Sequence, residues 1–354
     1  MYLDHMRQLA SRVIRQCLRV RKGESVVVEA SDLDDLILPE FLALECIDAE
    51  AHPVMVVRPE SILRAKLEGW LPEDLEYIPP HVSSLYGNCD VRVSVYSYFW
   101  PSWWQNIDEK RRAALDKVNQ MGTDIIVKRK VRNLNISVPT ERAARERGLN
   151  YPQLLDDFIR AVNIDYEDMR KLAKRLRQKL ERCTEIRIES DDGTDLTFST
   201  EGRTFLVEDG VIDDEDIRQG VHYAEIPTGE IFVAPIEDSA EGKAVFLNVP
   251  NIGRRELLFR GGKVVEARGE RCEAFWERLE QATGEKDRIA EFAIGLNPGV
   301  PNGNEKALGS IHIAIGKNNH MGGKNESSLH WDMVMPKPTI KANRKLIMKR
   351  GHIL

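Results

Sequence analysis

The chain has 354 residues, of which 42% are hydrophobic and 31% are charged, and 51 Lys and Arg against 57 Asp and Glu give a formal net charge of −6. These values fit a folded protein of about two domains and exclude wholesale disorder. The mild acidity argues against a dedicated nucleic-acid binder, which usually presents a basic surface. No stretch approaches the ~18–20 apolar residues of a membrane span, and the charged first twenty residues lack the apolar core of a signal peptide, so we expect no membrane partner.

The cysteines are odd in number and widely spaced, which predicts free thiols. No two of them form a CxxC motif, so neither a disulfide framework nor a cysteine zinc site is indicated. We therefore expect a reducing, cytoplasmic environment. The five cysteines are Cys17, Cys46, Cys89, Cys183 and Cys272.

The first 130 residues predict alternating helices and strands. Apolar residues at helical spacing indicate helices, and short apolar runs indicate strands. The predicted helices cover 3–17, 33–51 and 108–121, and the predicted strands cover 25–29, 54–57, 90–95 and 124–128. Strand–helix–strand units of this kind imply parallel pairing, so an open α/β sheet is expected. No glycine-rich phosphate loop follows any of these strands, and the pattern alone supports no nucleotide site.

The character of the chain then changes twice. Residues 131–182 are highly charged, with helical periodicity over 154–162 and 169–180, which is typical of a solvated helical segment. After Thr184, strands separated by glycine-containing turns dominate, and one helix is indicated over 272–283. The predicted strands of this part cover 186–189, 195–198, 242–249 and 263–267.

These patterns together predict an α/β protein in three parts. An N-terminal open α/β sheet domain covers 1–135, and a helical connecting segment covers 136–182. A β-rich α+β catalytic domain covers 183–354.

Candidate metal ligands concentrate near the carboxyl end. The segments 310–316 and 329–335 alternate with period two and predict strands, so His330 and Asp332 project from one face of the same strand. In the first of these strands, His312 projects from the face opposite to that of Ile311 and Ile313. Imidazole and carboxylate side by side on a rigid strand can bind a divalent cation, although an isolated His-x-Asp is more often a hydrogen-bonded surface pair.

Two glutamates upstream extend this set. Glu230 lies in a turn that is followed by a predicted strand with a proline on either side. Glu291 lies among apolar residues, where burying an unpaired carboxylate is costly. For either residue alone, a salt bridge is the simpler explanation. Together with two histidines and Asp332 they offer mixed nitrogen and oxygen ligands suited to a hydrolytic pair of zinc, cobalt or manganese ions.

The sequence resembles the metalloaminopeptidases of the thermophilic aminopeptidase T and staphylococcal aminopeptidase S group over most of its length. The resemblance is carried by Cys17–Glu24, Ala49–Val54, Asp192–Thr197, the turn at Glu230, the strand at Glu291 and the two histidine segments. It implies metal ligands at Glu230, Glu291, His312, His330 and Asp332, with one carboxylate shared by two divalent ions. It also implies hydrolysis of a peptide or small amide at a free amino terminus, in a homodimer that encloses the active site.

One position departs from the family pattern. The active-site tyrosine of the family corresponds to Asn319, which has no phenol, and His320 is the next residue. We expect Glu291 and His320 to act in catalysis, with His320 titrating near neutrality in the place of the tyrosine. The alternative is that His320 is a solvated loop histidine.

Two other functions stay open at this point. Glu237–Gly242 and Gly322–Lys324 also resemble iron-dependent dioxygenases that cleave dihydroxypyridine rings. That resemblance implies a single iron, with a histidine at the Glu291 position and no ligand at the His312 position. This chain has a glutamate at position 291 and a histidine at position 312, which favours the hydrolase. A non-catalytic homologue that has kept its fold is the third possibility, and Asn319 motivates it.

Overall fold

The computed structural model describes residues 2–31, 36–218, 220–250 and 252–354. The helices are α1 (Tyr2–Arg12), α2 (Ile37–Asp48), α3 (Glu60–Gly69), α4 (Pro72–Leu75), α5 (Pro80–Gly87), α6 (Glu109–Arg129), α7 (Glu141–Glu146), α8 (Tyr151–Val162), α9 (Tyr166–Leu180), α10 (Asp214–Arg218) and α11 (Cys272–Glu280). A π-helical turn over Val13–Cys17 extends α1, and short 3₁₀ turns cover Ser102–Asn106 and Asn319–Met321.

The strands of the described ranges belong to three sheets. They are β1 (Ser25–Ala30), β2 (His52–Val57), β3 (Val91–Ser97), β4 (Arg132–Val138), β5 (Glu185–Glu189), β6 (Asp195–Ser199), β7 (Leu206–Glu208), β8 (Tyr223–Ile226), β9 (Glu230–Val233), β10 (Glu241–Val249), β11 (Gly253–Arg260), β12 (Lys263–Gly269), β13 (Ile289–Gly295), β14 (Ser310–Gly316), β15 (His330–Pro336), β16 (Thr339–Ala342), β17 (Lys345–Lys349) and β18 (His352–Ile353).

The first compact unit comprises Met1–Asn163 and Gly210–Thr228. Its sheet has the order β2-β1-β3-β4-β8, and every neighbouring pair is parallel. Val26–Val28 are buried without interruption, as expected for a parallel strand that is covered on both faces by helices. The predicted open α/β sheet is therefore confirmed.

The second unit comprises Ile164–Asp209 and Gly229–Leu354. It contains an eight-stranded sheet of order β12-β11-β10-β6-β5-β16-β17-β18 and a five-stranded sheet of order β15-β14-β13-β9-β7. Phe198 of the first sheet and Phe292 of the second are buried with their ring centroids 5.3 Å apart, so the core of this unit lies between the sheets. The β-rich α+β character predicted for the carboxyl-terminal half is confirmed.

Truncating the core of the second unit tests this packing. Phe292→Ala should lower the free energy of unfolding by about 3–5 kcal/mol, because it removes a buried ring and leaves a cavity between two sheets. Leu247→Ala, at a β10 position that is 43% exposed, is the matched control and should cost well under ~1 kcal/mol. Urea denaturation of both variants measures the difference, and an equal cost for the two would contradict the assigned core.

One predicted strand is wrong. Residues 124–128 are rich in β-branched side chains, yet they form the last turns of α6. Ile126 packs there against Tyr86 and Val131, and this tertiary burial overrides the local preference for strand. The fourth strand of the sheet is instead β4. The sequence predicts a charged helical segment there, because Asn133 and Asn135 interrupt the apolar pattern of the strand.

The other predicted elements are found with shifted ends, and residues 33–35 of the predicted helix over 33–51 lie outside the described ranges. The two helices predicted in the charged segment lie within α8 and α9. Each compact unit draws on two separate stretches of chain. The predicted division at residues 135 and 182 stays a prediction. None of the helices in the described ranges has the length and apolar character needed to cross a bilayer.

Candidate metal centre

The five-stranded sheet of the second unit carries all of the predicted metal ligands. Its strands pair antiparallel, with Glu291 opposite Ala314, and Ala314 opposite Asp332. Gly316 lies opposite His330 two pairs further along the same strands. These pairings place the ligand positions of β13 and β15 on one face of the sheet, because residues that pair directly share a face.

Small residues surround the ligands on that face. Ala293 pairs with His312, and Gly295 pairs with Glu230 at the start of β9. The opposite face of the same strands is apolar, with Phe292 and Ile313 fully buried in the core between the sheets. Bulky apolar residues therefore alternate with small or ligating residues along these strands. The bulky residues pack one face of the sheet into the core, and the small residues of the other face leave space around the ligands.

His330, Glu291 and Asp332 form the tightest group. His330 Nε2 lies 3.1 Å from Glu291 Oε2 and 3.2 Å from Asp332 Oδ1. One ligand atom from each of the three residues lies within 4.8 Å of the other two, which would suit a single ion. His330 Nδ1 is 2.7 Å from the Lys317 carbonyl oxygen, to which it donates, so Nε2 is the nitrogen that faces the carboxylates.

His312 connects this group to Glu230. His312 Nε2 is 3.4 Å from Glu291 Oε1 and 3.7 Å from Asp332 Oδ1, and His312 Nδ1 is 3.8 Å from Glu230 Oε2. Glu291 thus directs one oxygen to each histidine. All five residues proposed from the sequence meet in one cluster, which is buried at Glu230, Glu291 and His312 and partly open at His330 and Asp332.

The cluster contains polar atoms that the protein leaves unsatisfied. Glu230 Oε2, His312 Nδ1 and Asp332 Oδ1 are buried and have no hydrogen-bond partner among the residues that the structure describes. Each such atom costs about 1–3 kcal/mol unless a partner compensates it. A divalent cation would compensate all three, and two imidazoles with three carboxylates are a donor set that zinc, cobalt and manganese accept. The residues therefore fit a metal centre.

The pKa values in the cluster indicate the same demand for positive charge. Burial opposes ionisation of Glu291, yet hydrogen bonds from His312 and His330 lower its pKa to about 2. Burial also opposes protonation of the two histidines, but the surrounding carboxylates raise the pKa of His312 to about 10 and that of His330 to about 11. Burial raises the pKa of Glu230. The carboxylates of the cluster thus favour positive charge on His312 and His330.

Three residues of this region were not anticipated from the sequence. Glu208 of β7 pairs with Glu230 across the strands, and Lys306 Nζ lies 3.2 Å from Glu208 Oε2 and 3.8 Å from Glu230 Oε1. Burial raises the pKa of Glu305, whose charge interacts with His312. Residues 304–306 read as an ordinary polar loop, so no local pattern could have marked them as part of the cluster.

His320 lies beside the cluster on the 3₁₀ turn Asn319–Met321. Its ring centroid is 5.6 Å from that of His330, in an edge-to-face arrangement. Burial and the neighbouring His330 lower the pKa of His320. Asn319 is exposed on the same turn. The geometry makes His320 available at the rim of the cluster, while its catalytic role stays a prediction.

The glycine-containing loop after β14 is held by hydrogen bonds to the start of β13. Asn325 donates to the Ile289 carbonyl at 2.9 Å, and Asn318 donates to the Ala290 carbonyl at 3.2 Å, next to Glu291. A Cβ on Gly323 would lie 2.1 Å from Asn318 Oδ1, so only glycine fits there. Glu237 accepts from the Lys324 backbone N–H at 2.6 Å. The loop therefore supports the strand that carries Glu291.

A buried cluster of imidazoles and carboxylates with unsatisfied donor atoms, set on a rigid sheet, is typical of metal-dependent hydrolases. The chain belongs to the thermophilic metalloprotease (M29) family, whose model matches residues 3–352. Membership makes it a metallopeptidase and implies the use of a divalent metal. The predicted family resemblance is thereby confirmed.

Solved structures support the fold. Wild-type AmpT from Thermus thermophilus matches with a TM-score of 0.78 and 18% identity, over 100% of both chains. The 2,5-dihydroxypyridine dioxygenase from Pseudomonas putida KT2440 matches with a TM-score of 0.67 and 16% identity, over 99% of this chain and 96% of the other. Among curated proteins, no match was found. At these identities the two structures establish the α/β architecture alone.

Proposed function

We propose that the protein is an aminopeptidase that holds two divalent metal ions and removes residues from the free amino terminus of peptides or small amides. The observation that carries the proposal is the position of Glu291, whose Oε1 is 3.4 Å from His312 and whose Oε2 is 3.1 Å from His330. A carboxylate between two imidazoles, each with a further carboxylate beside it, is suited to being shared by two ions.

The five residues divide into two ligand groups around Glu291. Glu230 and His312 would hold one ion at the buried end, and His330 and Asp332 would hold the other at the partly open end. Bound metal would lower the pKa of a coordinated water and polarise a carbonyl group. The hydrogen bond from His330 Nδ1 to the Lys317 carbonyl fixes the ring so that Nε2 points into the cluster. His320, at the open rim, would accept and return a proton.

The remaining features of the proposal rest on composition and family resemblance. The mixed nitrogen and oxygen ligands are compatible with zinc, cobalt or manganese. All five cysteines are free, which agrees with the cytoplasmic location that we propose. A homodimer is proposed from the family resemblance, and light scattering of the purified chain would test it.

The iron dioxygenase has weaker support as an alternative. The likeness to the Pseudomonas enzyme concerns the fold, at 16% identity. The group formed by Glu291, His330 and Asp332 contains two carboxylates and one histidine, whereas non-haem iron oxygenases use two histidines and one carboxylate. The donor set therefore favours the hydrolase.

A pair of peptide substrates tests the proposed function. The chain loaded with Co²⁺ or Zn²⁺ should release the first residue from a peptide with a free amino terminus and leave the N-acetylated form of the same peptide intact. Activity should disappear with a chelator and return when the metal is restored. Equal cleavage of both peptides would indicate a different peptidase specificity, and no turnover by metal-loaded protein would support the non-catalytic homologue.

A further inference from the structure

The donor cluster contains a resident cation of its own. Lys306 is 7% exposed, and its ammonium group lies between Glu208 at 3.2 Å and Glu230 at 3.8 Å. A buried lysine is costly unless it is paired, and Glu208 and Glu230 are carboxylates of neighbouring strands. One of these carboxylates, Glu230, is also a proposed metal ligand.

The backbone holds Lys306 in this place. Its carbonyl accepts from the Asn297 N–H at 2.9 Å, and its own N–H donates to Asn304 Oδ1 at 3.0 Å. A Cβ on Gly295 would lie 2.3 Å from the Ala307 carbonyl oxygen, so the loop packs directly against the residue that pairs with Glu230. The loop backbone therefore holds Lys306 beside the two carboxylates.

The cation affects the two ligand groups unequally. Glu230 lies within ion-pair distance of Lys306, whereas neither Glu291 nor Asp332 forms an ion pair with a lysine or arginine in the part of the chain that the structure describes. An ion at the Glu230 and His312 group would meet the positive charge of Lys306 at close range. An ion held by Glu291, His330 and Asp332 would be further from that charge and would bind three ligands that already lie together.

We propose that Lys306 makes the two metal positions unequal in affinity and so sets the order in which they fill. The group of Glu291, His330 and Asp332 takes the first ion. The Glu230 and His312 group takes the second ion only when Lys306 gives up Glu230 and keeps its pair with Glu208. This inference rests on the proposed two-metal function and adds a residue that tunes it. At low metal concentration the protein then holds one ion, and occupancy of the second position follows the supply of metal.

Opposite effects are expected from removing Lys306 and from removing its alternative partner. Lys306→Met should raise the affinity of the weaker position by about 10- to 100-fold, because a unit charge a few ångströms away interacts strongly in a partly buried site. Glu208→Gln should lower that affinity, because it removes a carboxylate that competes with Glu230 for the Lys306 ammonium group. The affinity of the stronger position should change by less than about threefold in both variants.

Calorimetric titration of the metal-free full chain with Co²⁺, combined with cobalt absorption spectra, measures the two affinities. Lys341→Met is the matched control, since Lys341 pairs with Glu189 at 2.6 Å on the other sheet of the same unit. It should leave both affinities unchanged. If Lys306→Met does not fold, the double variant Glu208→Gln/Lys306→Met removes the ion pair without leaving an unpaired charge on Glu208. Lys306→Arg keeps the positive charge and should preserve the difference between the two metal affinities.

Each result bears on a different claim. Two ions with unchanged affinities in Lys306→Met would overturn the role of Lys306 and leave the two-metal function standing. Weakening of both positions would mean that Lys306 only orders the carboxylates, which also overturns the proposal. One ion in the wild type and two in Lys306→Met would support the role of Lys306 and contradict the two-metal function of the native chain. One ion in every variant would contradict both.

Discussion

Glu291→Gln is expected to reduce peptidase activity by at least about 10³-fold and to lower the bound metal below two ions per chain, while the protein remains folded. A neutral amide cannot bind two cations through two anionic oxygens, and the present carboxylate directs one oxygen to each of the histidines His312 and His330. The substitution preserves size, so the strand and its packing should be retained. Metal content by elemental analysis, activity and circular dichroism together measure the effect.

Glu189→Gln is the control for this experiment. Glu189 is also a partly buried carboxylate on a strand of the second unit, but it pairs with Lys341 and not with a histidine. This variant should keep its metal content and activity. Wild-type activity and full metal content in Glu291→Gln would remove Glu291 from the centre.

His320→Ala is expected to lower kcat by about 10²–10⁴-fold, the usual contribution of a general acid–base group, and to leave the metal content nearly unchanged. The ring lies beside that of His330 at the rim of the cluster, where it can exchange a proton with a reacting group without being a ligand. According to the family resemblance, the active-site tyrosine corresponds to Asn319, which immediately precedes His320 in the sequence.

His81→Ala serves as the control, because His81 is an exposed histidine at the start of α5 in the first unit. Its kinetics should equal those of the wild type. Unaltered kcat with full metal loading in His320→Ala would mean that His320 is a solvated loop residue, and the proton transfer would fall to a carboxylate of the cluster.

The strands that bear the histidines were predictable from the periodicity of the sequence. In β14 and β15, bulky apolar residues alternate with small or polar ones, and this period of two fixes both the strand and the face on which His312, His330 and Asp332 lie. Glu291 was identifiable because a carboxylate in a wholly buried strand requires a partner.

What the sequence could not provide was pairing between distant segments. Glu208 and Glu230 meet because β7 and β9 are neighbours in a sheet, and no local pattern records that register. Lys306 reaches both through a loop whose course depends on packing against Gly295. For the same reason β4 was not predicted, because its polar residues interrupt the apolar pattern of a strand. The neighbouring strands β3 and β8 stabilise β4 by hydrogen bonding on both sides.

The central claim is a centre of two metal ions shared through Glu291. Elemental analysis of the full chain at equilibrium with excess metal tests it most directly, because it counts the ions and identifies them independently of any substrate. We expect two equivalents of zinc, cobalt or manganese per chain. One equivalent of oxygen-sensitive iron, with no second ion at any metal concentration, would contradict it.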